Sequence, residues 1–226
     1  QPPQPQRKPR VMMIKGVPDS NLIPINSIHK DDFDFGFSGN VNLPVLDGVE
    51  LDYIVLGGAK PRPVEFELPD LFINYMCDPD AQGRALRFAS KLLADYDVPV
   101  INSPARVMET SREKIYQRFQ GRDGLLVPRT LRVAPRYTTD IAALVEAGDI
   151  QLPVIVRPTG THGGGGMFLL ESLDQLPELQ RFAFDGRDYY LTEFIDYRSD
   201  DGLNRKYRLL YINGQLYGRH LITDSN

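Results

Sequence analysis

Residues 71–102 read LFINYMCDPDAQGRALRFASKLLADYDVPVIN. LFINYM is a short apolar run that ends in turn residues, which is the pattern of a buried strand. From 81 to 97, apolar residues fall at Leu86, Phe88, Ala89, Leu92, Leu93 and Tyr96. That spacing lines one face of a helix. VPVIN then gives a second strand. Strand, helix, strand is a βαβ unit, and it predicts a parallel sheet.

Working outward, VMMIKGV (11–17) and DYIVLGG (52–58) read as further strands of that sheet, with 18–50 mostly loop because Asn, Asp, Gly and Pro crowd it. Toward the C-terminus, SPARVMETSREKIYQRFQG (103–121) reads as one helical region between Pro104 and Gly121. LLVPRTLRV, LPVIVRP, MFLLES and YYLTEFID read as strands, and TTDIAALVEAG as a helix closed by Gly148. KYRLLYINGQLYGRHLI reads as a hairpin turning at Asn213-Gly214. The fold class is therefore α/β followed by α+β.

The chain has 226 residues, 42% hydrophobic and 25% charged, with a net charge of -4. This suits a globular chain with a sizeable core and speaks against a broad nucleic-acid or anionic-membrane surface. Cys77 has no second cysteine to pair with; it reads as a half-buried apolar residue. No apolar run reaches the length of a membrane span and no signal-peptide pattern is present, so the expected setting is cytoplasmic. The opening QPPQPQRKPR, starting at Gln1, is a proline-rich linker. It suggests a segment cut from a longer chain with flanking domains, or an engineered boundary.

Between the strands PVIVRP and MFLL lies GTHGGGG (160–166). Consecutive glycines let backbone N–H groups turn toward an anion, and Arg157 at the exit of the preceding strand adds charge there. A plain hairpin loop with Arg157 at the surface is the competing explanation. Neither GxxxxGK[ST] nor a glycine run opening a helix is present, which argues against a Walker-type ATPase and a Rossmann dehydrogenase.

The order INSP, SREK, VPRT, PVIVRP with its glycine loop, LTEFID, RKYRLLYINGQLYG resembles the ATP-grasp superfamily, specifically ligases of the glutathione synthetase and ribosomal-protein glutamate ligase (RimK) type. The resemblance runs from about residue 52 onward. It implies a linker at 1–10, an open parallel-sheet pre-ATP-grasp domain at 11–104, a small lid subdomain at 105–192 and the start of a second, partial ATP-grasp subdomain at 193–226. It implies ATP as cofactor, bound between the subdomains, and formation of an amide bond from a carboxylate and an amine through an acyl-phosphate. Lys114 would reach the α/β-phosphates, with Arg112 competing for that role. Arg157 stands where the family usually has lysine. Thr161 and His162 would be in reach of the same anion, and Gly163, Gly164, Gly165 and Gly166 would form the lid. Glu193, Phe194 and Ile195 would receive adenine. Asp196, Asp200 or Asp201 would take the ribose. Arg208 matches the family's D-x-R arginine and Lys206 replaces its acid; both would contact the γ-phosphate or an acyl-phosphate. Mg²⁺ is implied as well, through acids expected beyond residue 226. The substrate pair stays open. The rival from another class is a non-catalytic nucleotide-sensing or interaction domain, favoured by the departures at Arg157 and Lys206.

Overall fold

The computed structural model describes residues 7–29, 32–37, 39, 48–58, 65–162 and 166–224. Its first half holds β1 (Arg10–Gly16), β2 (Ile25–His29), β3 (Asp32–Phe35), β4 (Glu50–Leu56), β5 (Leu71–Asn74), α1 (Gly83–Leu93) and β6 (Val100–Ile101). Four of these form a sheet in the order β4-β1-β5-β6, every neighbouring pair parallel. Parallel neighbours need a crossover, and α1 supplies it between β5 and β6. Residues Val11 to Ile14 of β1 are buried without a break, as an inner strand covered on both faces requires. The edge strand β4 alternates instead, with Ile54 and Leu56 buried and Tyr53 and Val55 exposed. The apolar face of α1, Ala85, Leu86, Ala89 and Leu93, closes on Met12, Ile14, Leu56 and Phe72. Asp19, from the loop after β1, accepts the Arg84 backbone N–H at 3.1 Å in the first turn of α1.

Residues 18–50 are not mostly loop in one respect: β2 and β3 pair antiparallel inside them. In β3 Asp32 and Asp34 alternate with Phe33 and Phe35 along the strand, and in β2 the register shifts between Ile25 and Ser27, so neither strand shows as an apolar run. The helical region 103–121 is also divided, into α2 (Pro104–Val107) and α3 (Arg112–Phe119). The break falls where Thr110 donates its hydroxyl to the Val107 carbonyl at 2.7 Å, a local bond that competes with helix continuation.

The second half contains β7 (Thr130–Val133), α4 (Thr138–Glu146), β8 (Val154–Pro158), β9 (Phe168–Leu170), a 3₁₀ helix (Leu173–Arg181) and β10 (Tyr189–Glu193). The sheet order is β7-β10-β8-β9, antiparallel throughout. Period-two alternation splits it into two faces. Leu131, Val133, Val154, Val156, Leu170, Tyr189 and Leu191 pack on Ile141, Ile150 and Leu179 as a second core. The opposite face carries Thr130 and Arg132 on β7, Thr192 and Tyr190 on β10, and Ile155 and Arg157 on β8, matched across the ladder. The 3₁₀ helix, not expected from the sequence, supplies Leu179 to the core.

Last come β11 (Asn204–Ile212) and β12 (Gln215–Asp224), which pair with each other. Asn213 and Gly214 turn the hairpin with φ of 47° and 81°, the double positive φ that a two-residue turn demands. Tyr207, Tyr211, Leu216 and Leu221 on this hairpin are exposed. The chain is thus mixed α/β, a parallel sheet followed by antiparallel ones, as the pattern of apolar residues predicts.

Candidate functional site

The face of the antiparallel sheet that carries Tyr190 and Arg132 meets the loop that leaves the carboxyl end of β5. At that junction Tyr190 directs its hydroxyl at Asp80, and Arg132 reaches the same carboxylate at 2.9 Å and Asp188 at 2.7 Å. Glu113 of α3 lies 3.5 Å from Arg132 and faces the same hydroxyl. Burial pushes the Asp80 carboxyl above its ordinary range, against the lowering pull of Tyr190 and Arg132. Burial and the two carboxylates together hold the Tyr190 phenol far above its usual value.

Beside this junction opens a cleft of about 420 Å³ whose walls include Asp78, Arg112, Thr130, Thr161, His162 and Thr192. Arg157 stands next to it on β8. Its side chain belongs to a residue only 8% exposed, and no carboxylate pairs with it among the described residues. Nη2 donates to the Thr161 carbonyl and, at 3.2 Å, to the Thr161 hydroxyl, while Nε is buried with no partner. Burial lowers the guanidinium pKa first, and the charge of Arg112 lowers it further. Two cations are therefore held close together with donor capacity to spare, which favours an anion between them. His162 bonds Asp78 through Nε2 at 2.8 Å. Asp78 is itself fixed, since its other oxygen accepts the backbone N–H groups of Asp80 at 2.9 Å and Ala81 at 3.2 Å.

A second cleft, about 960 Å³ and more apolar, adjoins the first through Pro128 and Thr192. Ile155, Met167, Leu169 and Phe194 line it, with Ile195 and Asp196. Its rim is the end of β10. There the Glu193 N–H bonds Arg129 and the Phe194 N–H bonds Pro153. Among the described residues, no backbone N–H outside the strand ladders donates to the Glu193 carbonyl, and the Ile195 N–H has no backbone acceptor there. Residues two apart on an extended strand present these groups along one edge. The Glu193 carboxylate turns away to accept the Gln151 N–H at 3.0 Å.

The residues anticipated from sequence divide as follows. Arg112, Thr161 and His162 line the first cleft, and Glu193, Phe194, Ile195 and Asp196 the second. Lys114 lines neither, because Nζ is bonded to the Met108 carbonyl at 3.1 Å and Glu109 at 2.9 Å. Asp196 is bonded to Arg198, which holds its carboxyl near 2; Asp201 is bonded to Arg205, with the same effect. Asp200 lies exposed in the turn before β11, outside both clefts. Lys206 and Arg208 are exposed on β11, opposite Ile222 and His220, and line neither cleft. Gly166 has a φ of 73°, whereas Gly163, Gly164 and Gly165 lie outside the described residues. Sequence reasoning missed Asp78, Asp80, Arg132 and Tyr190. The signal for the two acids was their place just past the carboxyl end of a parallel strand, where such sheets put their binding crevice.

No protein-family model matches the chain, and no curated protein does. Solved structures do. The RimK-domain ATP-grasp protein of Sphaerobacter thermophilus is 16% identical over 88% of this chain and 68% of that one, with a TM-score of 0.47. Carboxyaminoimidazole ribonucleotide synthase of Aspergillus clavatus, solved with ATP, is 13% identical over 69% of this chain, with a TM-score of 0.47. The present chain spans only 37% of that enzyme. D-alanine–D-alanine ligase of Bacillus anthracis is 11% identical over 96% of this chain and 71% of its own, with a TM-score of 0.46. What the chain is similar to, then, is a set of ATP-grasp structures.

Proposed function

We propose that this chain carries the nucleotide cradle of an ATP-grasp carboxylate–amine ligase. The observation that carries the reading is Arg157: a buried guanidinium without a carboxylate, with an unpartnered Nε, beside Arg112. The adjoining apolar cleft supports it. The Glu193 carbonyl accepts and the Ile195 N–H donates along one rim, complementary to the amino group and ring nitrogen of adenine. Guanine presents the opposite order, an acceptor and then a donor. The base would lie against Ile155, Leu169 and Phe194, the ribose near Asp196, and the phosphates toward Arg157 and Arg112, beside Thr161. In this reading residues 11–104 form the leading domain, 105–192 the lid subdomain and 193–226 the start of the second subdomain.

A substrate carboxylate oxygen would attack the γ-phosphorus, releasing ADP. An amine would then attack the acyl carbon, releasing phosphate. The chain's own share is to bind and orient the nucleotide and to offset the charge that moves with the phosphoryl group. Guanidinium does this with a planar fork where lysine would offer a point charge. Among the described residues no group of three or more His, Cys, Asp or Glu could hold a metal ion.

Calorimetric titration with ATP, ADP and GTP, on the wild-type chain and on Arg157→Ala, tests the reading. Binding of ATP and ADP that weakens roughly tenfold or more in the variant supports it. A chain that binds none of the three nucleotides overturns it.

A further inference from the structure

Thr161 and His162 are neighbours in the turn after β8, and they are tied to opposite charges in different parts of the molecule. Thr161 gives its carbonyl and hydroxyl to Arg157 on the antiparallel sheet. His162 is bonded to Asp78, at the carboxyl end of the parallel sheet. The anchors are stiff on both sides. Asp78 has a side chain only 7% exposed and is held by two backbone N–H groups, and Arg157 is buried. The turn itself is tight, since the Thr161 hydroxyl donates to the Pro158 carbonyl at 2.8 Å. Gly160 lies against Ala81, so the turn rests directly on the loop that carries Asp78.

The Thr161 carbonyl and the His162 N–H belong to one planar peptide unit. An anion that takes the Nη2 hydrogens of Arg157 competes with that carbonyl. Displacing the carbonyl turns the whole peptide plane, and His162 turns with it. We infer that these two bonds form a coupled latch, in which a phosphate group taken up by Arg157 releases His162 from Asp78 and so loosens the contact between the two sheets. The inference rests on the reading above, that the anion at Arg157 is a nucleotide phosphate. The coupling is reciprocal: whatever removes the His162–Asp78 bond favours the anion.

His162→Ala decides the sign. The ring is 72% exposed, so its removal leaves both cores intact. The latch predicts that His162→Ala binds ADP tighter than wild type, by roughly threefold to thirtyfold. Weaker binding overturns the latch by making His162 a direct phosphate ligand, and equal binding overturns it by showing no coupling. A second readout is the histidine ring spectrum, which is simple because the chain has 3 histidines. On saturation with ADP the His162 resonances are expected to move toward those of Asp78→Asn; resonances that stay in place at saturation overturn the latch while leaving the nucleotide reading intact. If no nucleotide binds, that reading fails, and pyrophosphate is the probe of Arg157: a His162 shift with pyrophosphate retains the latch, and no shift removes it.

Discussion

The hydroxyl of Tyr190 stands 2.9 and 2.8 Å from the two carboxylate oxygens of Asp80, across the junction between the antiparallel sheet and the loop after β5. One proton serves both oxygens, and Arg132 supplies the next donor. Tyr190→Phe keeps the ring and removes that proton, leaving a largely buried carboxylate short of a donor. The expected loss is about 1–3 kcal/mol of stability, measured by urea unfolding. An unchanged midpoint would show that Arg132 alone satisfies Asp80.

The same carboxyl sets a pH dependence. Burial raises its pKa, so the folded chain holds this proton more tightly than the unfolded chain does. Between the ordinary carboxylate value, about 4, and the raised one, unfolding releases protons, and stability falls as pH rises. Glu113 acts in the opposite sense, because Tyr190 and Arg132 lower its pKa despite burial. Asp80→Asn isolates the effect: the melting temperature of wild type relative to the variant should decline as pH rises above about 4. A difference that is flat across that range would refute the assignment.

The rim of the apolar cleft predicts base selectivity. Wild type should prefer ATP to GTP by at least about tenfold, since each rim group would face a like group of guanine. Ile195→Pro removes the one donor and should abolish that preference along with most of the ATP affinity. Fluorescence competition between the two nucleotides reads both effects.

The two faces of the antiparallel sheet predict opposite costs. Leu191→Ala opens a cavity in the second core, where the residue is fully buried, and should cost about 2–5 kcal/mol. Ile155→Ala lines the apolar cleft. It should cost stability much less and weaken nucleotide binding more. Denaturation and titration of the two variants give the crossed pattern.

How much of this was legible in the sequence depends on the distance over which each feature is encoded. The strands β1, β4, β5 and β6 and the helix α1 announce themselves through local runs and spacing, as Val11 to Ile14 and Leu86 to Leu93 show. The turn at Asn213-Gly214 did so too, whereas β2 and β3 were hidden among Asn, Asp, Gly and Pro. The break between α2 and α3 was hidden, because a hydroxyl bonding back to Val107 leaves no trace in periodicity. Arg157, Thr161 and His162 were legible from the glycine run beside them. That Arg112 and not Lys114 lines the first cleft was not, since two residues on one helix differ only in what they face. The Asp80–Tyr190 bond joins residues 110 apart. Local pattern specifies each element but not which two elements dock.

One register serves two purposes in the antiparallel sheet. In β8, Val154 and Val156 go to the core while Ile155 and Arg157 go to the clefts. The strand is thus written in a two-letter reading frame, and inserting or deleting a single residue within it acts as a frameshift: a guanidinium enters hydrocarbon and valines line the clefts. Length variation in this part of the chain has to fall in the connecting loops or come in pairs of residues.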